Sequence, residues 1–196
     1  MKTIIITGTP GCGKSTLTKK VSKILDSKFI SINQLVHSEK FIEEYDEKRD
    51  TYIADFDKLI PYLIDAIEKA QNEQNDFFFI EGHFADIVPN KFIDIVIILR
   101  CHPDILKKRL EKRGYKESKV IENLQAEILG NSTNYILEKD LKCPIYEIDT
   151  SKKKIDEALE IIKKILKDDE IKNYEIGKID WLCNLSKNNR LNEFFD

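Results

Sequence analysis

The amino-acid sequence predicts an α/β fold, a five-stranded parallel sheet flanked by helices, and three observations carry that expectation. Short apolar runs at residues 4–6, 77–80 and 93–99 read as strands buried on both faces. Segments with apolar residues at helical spacing alternate with them. A glycine-rich turn, GTPGCGKS at residues 8–15, joins the first run to the first helical segment. Strands alternating with helices favour parallel pairing through right-handed crossovers, and such sheets bind ligands beyond the carboxyl ends of their strands.

The elements follow in order. Lys2 to Thr7 is the first strand, and Ser15 to Leu25 a helix with Leu17, Val21 and Ile24 on one stripe. Lys28 to Ile32 is a short second strand. His37 to Asp57 is charge-rich and weakly periodic, which predicts a helix and loop outside the main sheet. Phe56 to Gln74 resumes as a helix carrying Leu59, Leu63, Ile67 and Ala70. Phe77 to Ile80 is a central strand closing on Glu81, and Ile93 to Leu99 another. Pro103 opens a helix that runs through Arg113 and stops at Gly114. A second helical stretch covers Ser118 to Lys139, Ile145 to Ile148 forms the last strand, and Ile155 to Leu166 the last long helix.

Composition narrows the class. A chain of 196 residues is one domain, or one with an appendage. Lys and Arg number 32 against 35 Asp and Glu, so a net charge of −3 leaves no general nucleic-acid footprint. Cys12, Cys101, Cys143 and Cys183 are widely spaced without a CxxC pair, which points to reduced thiols in a cytosolic or nuclear compartment. Cys12 either confers oxidation sensitivity or fills a variable loop position. No stretch approaches 18 apolar residues and no signal-peptide pattern opens the chain, so a soluble intracellular protein is expected.

The chemistry concentrates in the glycine-rich turn. GTPGCGKS satisfies GxxxxGK[ST], in which Gly8, Gly11 and Gly13 let backbone amides approach a polyphosphate. Lys14 is placed to reach the β- and γ-phosphates, Ser15 to bind Mg²⁺, and Thr16 to add a phosphate contact at a helix N-terminus. Glu81 ends a buried strand, where a carboxylate either holds Mg²⁺ through water or caps neighbouring amides. His83, two residues on, either orients a water or a substrate phosphate, or is an ordinary loop residue. Arg109 and Arg113 are four apart on one helix face; they either clamp a transferring phosphate or belong to a solvated basic face with Lys107, Lys108 and Lys112. Arg100, at a strand end, is a weaker candidate for the same work.

GTPGCGKST, YDEKRD, the EGH after a buried strand and RLEKRGYKESKVIENLQAEI together resemble, in order and spacing, the adenylate kinase isoenzyme 6 family. The similarity runs from about residue 2 to 165. It implies a P-loop NTPase of the nucleoside monophosphate kinase type over residues 1–167, with a monophosphate-binding segment near 31–54 and a lid near 112–122. It implies transfer of the terminal phosphate of ATP to AMP and other monophosphates, ATP hydrolysis, and Mg²⁺ accompanying ATP. It further implies a role in late small-subunit and rRNA maturation, with ribosomal protein uS11 and small-subunit precursors as partners. The expected species is a monomer, cytoplasmic and, in a eukaryote, nuclear as well, with no membrane partner.

Carried onto this sequence, the resemblance implies ATP contacts from Gly11, Gly13, Lys14, Ser15, Thr16 and Arg113. Catalysis would fall to Lys14, Glu81, His83, Arg109 and Arg113, metal binding to Ser15 and Glu81, and monophosphate binding to His37, Tyr45 and Asp46. Two positions depart from the pattern. Glu81 stands where Asp is common, and His37 where many relatives have the Arg that grips the monophosphate, so weak monophosphate affinity and prominent ATPase activity are expected.

Residues 168–196 lie largely outside the resemblance. Ile176, Ile179, Trp181, Leu182 and Leu185 are too apolar for a solvated tail, so this extension either docks on the core or is a partner-binding segment. Ser151 to Lys154 and the Lys-rich helix after it read as an exposed face suited to rRNA or an acidic tail. Three readings remain: a phosphotransferase, an ATP-driven assembly factor, and a nucleotide-binding module with little catalysis.

Overall fold

Ile4, Ile5 and Ile6 have no solvent exposure because their strand, β1 (Lys2–Thr7), is the middle of a five-stranded sheet. The computed structural model describes residues 1–38, 40–47, 51–73, 75–169 and 171–195. With β2 (Lys28–Ser31), β5 (Phe77–Glu81), β6 (Ile95–Arg100) and β7 (Ile145–Asp149), the sheet has the order β2-β5-β1-β6-β7, and every pairing is parallel. Successive residues of a strand point to opposite faces, so the core splits in two. Ile4, Ile6 and Phe79 pack on one face with α1 (Lys14–Ile24), α4 (Pro103–Lys112), α5 (Glu117–Ile128) and α7 (Ile155–Leu166). Ile5, Phe78 and Ile80 pack on the other with α2 (Ile32–His37), α3 (Phe56–Gln71) and α6 (Asn131–Glu138).

Three sequence expectations are corrected. Ile24 does not share the buried stripe of Leu17 and Val21; it is 54% exposed at the end of α1. The region His37–Asp57 lies outside the main sheet as expected, but it is not a helix and loop. Beyond α2 it forms an antiparallel hairpin, β3 (Ile42–Asp46) with β4 (Thr51–Ala54), pairing Tyr45 with Tyr52. Glu43 and Glu44 are exposed strand positions, and the stabilising contact runs across strands, where helical periodicity gives no signal. The stretch Ser118–Lys139 is two helices, α5 and α6, because Gly130 takes φ +68°, a left-handed conformation that ends one helix and starts the next.

The C-terminal residues form α8 (Trp181–Lys187) and α9 (Asn192–Phe195). Leu185 and Phe194 are buried in the same core as Leu124 and Ile128 of α5. Gln125 Nε2 donates to Phe194 O at 2.8 Å, and Arg190 donates to both oxygens of Asp104 on α4 at 3.0 and 2.8 Å. Among the described residues no helix is long and apolar enough to cross a membrane.

Candidate active site

The phosphate loop leaves β1 beside β6 so closely that a side chain at its first residue is impossible. A Cβ on Gly8, at φ +137°, would lie 2.3 Å from Leu99 O. Gly13, at φ +100°, caps α1 and turns the chain into the helix, whose first amides face the loop's concavity. Lys14 folds back over this turn, its Nζ donating to Gly8 O at 2.7 Å and Thr9 O at 3.2 Å. Burial lowers its pKa, the Arg113 charge acts in the same direction, and Cys12, Glu81 and Glu127 oppose it.

Parallel pairing brings the ends of β1, β2 and β5 together, with Ile6 opposite Glu81 and Ser31 opposite Glu81. Glu81 is 1% exposed, and its Oε1 accepts the hydroxyls of Ser15 at 2.9 Å and Ser31 at 2.5 Å. The carboxylate therefore stands beside the first helical turn after the loop. Ser31 is also the N-cap of α2 and accepts from Gln34 N. Thr16, one residue beyond Ser15, is exposed.

His83 lies past the end of β5, its Nδ1 beside the side-chain amide of Asn33 on α2, with contacts of 3.2 and 3.3 Å. Its ring meets Phe84 edge-on at 4.3 Å. Desolvation by the cleft walls, then the charges of Lys14 and Lys119, push its pKa down to about 3. The residue is exposed, and the downward shift leaves the imidazole neutral at pH 7.

The two arginines of α4 divide. Arg109 is half-buried and donates to Gly11 O at 3.4 Å, Thr150 Oγ1 at 3.2 Å, Thr150 O at 2.6 Å and Ser151 O at 3.4 Å. It braces the loop against the turn after β7. Arg113 is exposed at the C-cap of α4, close enough for its charge to act on Lys14. His37 ends α2 and meets Tyr52 edge-on at 5.9 Å, and Tyr52 in turn meets Tyr45 at 5.1 Å. Asp46 pairs with Thr51 at the tip of the same hairpin. The remainder of YDEKRD, residues 48–50, lies outside the described residues.

Sequence reasoning missed the carboxylate under the loop. Glu127 is 1% exposed and accepts from Thr9 Oγ1 at 2.5 Å, Arg100 Nε at 2.9 Å and Cys101 N at 3.0 Å. Arg100, 3% exposed, also donates to Glu147 Oε1 at 2.8 Å, and the two carboxylates raise its pKa against the lowering effect of burial. Arg100 thus belongs to a buried ion network rather than to the cleft. The available signal was an acid inside an apolar helical stripe: Glu127 shares one face of α5 with Val120, Leu124 and Ile128.

A hydroxyl and a carboxylate oxygen at the mouth of the loop are hard oxygen donors, the kind Mg²⁺ takes. Among the described residues no cluster of three His, Cys, Asp or Glu could hold a metal by itself. An ion at Ser15 and Glu81 would therefore share its shell with phosphate and water, which is how Mg²⁺ is held at nucleotide sites.

The AAA domain family model matches residues 4–130. A protein of Methanocaldococcus jannaschii named "Putative adenylate kinase" is 39% identical over 178 residues, covering 91% of this chain and 92% of its own. The "Adenylate kinase isoenzyme 6 homolog FAP7" of Saccharomyces cerevisiae is 41% identical over 128 residues, 65% of this chain and 62% of its own. Among solved structures, a deoxyadenosine kinase from M. mycoides superposes with a TM-score of 0.54 at 21% identity, covering 85% of this chain and 99% of its own, a likeness of fold.

Proposed function

This chain belongs to the adenylate kinase isoenzyme 6 family, and on that premise we propose that it transfers the γ-phosphoryl group of ATP to AMP or another nucleoside monophosphate and also hydrolyses ATP. The observation that carries the reading is the convergence of Ser15 and Glu81, 2.9 Å apart, at the mouth of a loop that Lys14 closes. Phosphoryl transfer asks a protein mainly to position two oxygens in line and to neutralise charge on the moving group. Backbone amides of the loop and the α1 N-terminus would receive the β-phosphate. Lys14, released from Gly8 O and Thr9 O, would swing onto the β- and γ-oxygens.

Ser15 and Glu81 are the residues that would hold Mg²⁺, which when bound would neutralise charge on the phosphates. Gly11, Gly13 and Thr16 complete the donor site, and Arg113 would fold over it from the exposed end of α4. Arg109 would serve by bracing Gly11 and the turn at Thr150, not by touching phosphate. Neutral His83, steadied by Asn33, would orient the acceptor oxygen or the hydrolytic water. His37, Tyr45 and Asp46 would line the acceptor side, where His37 supplies no bidentate fork for a phosphate.

A second reading rests on that same residue. With a histidine in place of a fork at His37, hydrolysis would compete well with transfer, which suits an ATP-driven switch in late small-subunit and rRNA maturation, with uS11 and small-subunit precursors as partners in the cytoplasm. The discriminating experiment measures ADP formation from MgATP alone and then with each monophosphate added. Stimulation by AMP supports the kinase, and equal rates with and without acceptor support the switch. Lys14→Ala should abolish both activities; surviving transfer in that variant would overturn the assignment of the loop.

A further inference from the structure

Glu127 ties the phosphate loop to the C-terminal segment. Its Oε2 accepts the hydroxyl of Thr9, the second residue of the loop, while its Oε1 accepts Arg100 Nε, Cys101 N and, at 3.1 Å, the indole N–H of Trp181. Trp181 opens α8 and packs edge-on against His102, ring centroids 5.1 Å apart. Upstream the same segment is fastened to the same buried network: Gly177 N donates to Glu147 Oε2 at 2.9 Å, and Ile179 O accepts from Arg100 at 3.4 Å. Nothing in phosphate binding requires a tryptophan there, yet its N–H completes the donor set of a carboxylate 1% exposed.

The geometry relays motion. A carboxylate is planar, so any rotation that compensates a lost donor at Oε1 also moves Oε2, and with it Thr9. Thr9 O is in turn one of the two carbonyls that hold Lys14 Nζ. Charge-assisted hydrogen bonds in a buried site are strong enough to fix such a chain in one arrangement.

We propose that Trp181 is a positioning residue for ATP: its indole N–H, acting through Glu127 on Thr9, holds the phosphate loop in the shape that receives the triphosphate. The C-terminal segment thereby sets donor affinity without touching the nucleotide. This inference rests on the reading of residues 8–15 as the ATP site.

The test titrates MgATP calorimetrically into the full chain, wild type and three variants: Trp181→Phe, which keeps the ring and removes the donor, Thr9→Val, and the pair. Each single change is expected to weaken ATP binding about fivefold, and the pair no more than either alone. The KM for AMP stays unchanged. A purely structural role would lower the melting temperature and the fraction of competent protein, which calorimetry reads as stoichiometry, and would leave the affinity alone. Trp181 is the single tryptophan of the chain, so its emission in the wild type should also shift when ATP binds. Equal affinity in wild type and Trp181→Phe, or multiplying effects in the pair, overturns the relay while leaving the site intact. A wild type that binds no ATP overturns the reading of the site, and the relay with it.

Discussion

Ser31 donates its hydroxyl to Glu81 at 2.5 Å while its oxygen caps α2 by accepting from Gln34 N. One serine thus joins the carboxylate proposed to hold the metal to the helix that carries Asn33 and ends at His37. On the proposed reading, donor and acceptor halves of the site are joined through this single residue. Ser31→Ala is expected to raise the KM for monophosphate more than that for ATP, with a stability loss of about 1 kcal/mol from the missing cap. Steady-state kinetics with each substrate varied would check this; equal changes in both KM values would refute it.

On the proposed reading His37 lies on the acceptor side, where it supplies no fixed guanidinium fork. His37→Arg should lower the KM for AMP about thirtyfold, since a charge-assisted hydrogen bond is worth about 2 kcal/mol when well formed. The ratio of transfer to hydrolysis would rise with it. An unchanged ratio in a coupled assay would show that His37 does not face the acceptor.

Arg100 sits between Glu127 and Glu147, all three buried. Arg100→Met would leave two carboxylates facing one another with no cation, at a cost of about 3–5 kcal/mol. Urea unfolding would measure it, and a loss under about 1 kcal/mol would mean that the network relaxes without its cation.

Arg190 holds Asp104 with two hydrogen bonds, and the Asp104 pKa is lowered by them. A carboxyl depressed in the folded state contributes stability that is fully present above its unfolded pKa of about 3.9 and lost as pH falls through the folded value. Docking of the C-terminal helices should therefore loosen on acidification below about pH 4. Trp181 emission followed from pH 6 to pH 2 should shift in that window, and Arg190→Gln should shift it at higher pH. Superimposable curves would show that the pair does not hold the segment.

Much of this molecule is legible in its residues taken singly. The isoleucine run before GTPGCGKS, the phenylalanine run before Glu81 and the 3.6-residue spacing of Leu159, Ile162 and Leu166 prescribe strands and helices directly, because burial of a periodic apolar face is a local pattern. The β3–β4 pairing is not legible, since its signal lies in Tyr45 meeting Tyr52 from a neighbouring strand. The α5–α6 break was missed because Gly130 acts through backbone conformation in an otherwise helical run.

The sequence by itself determined the sheet, the phosphate loop and the residues that could do chemistry, because strand burial and the loop's glycines are short-range demands. Only the tertiary structure decided which of those residues meet. Sheet pairing set Ser31 and Ser15 on Glu81, separations of 50 and 66 residues. Packing of α5 beneath the loop turned Glu127 from one acid among many into the anchor of Thr9, 118 residues away. A buried charge must find its partners wherever the chain brings them, and those partners are fixed by the fold rather than by neighbours in sequence.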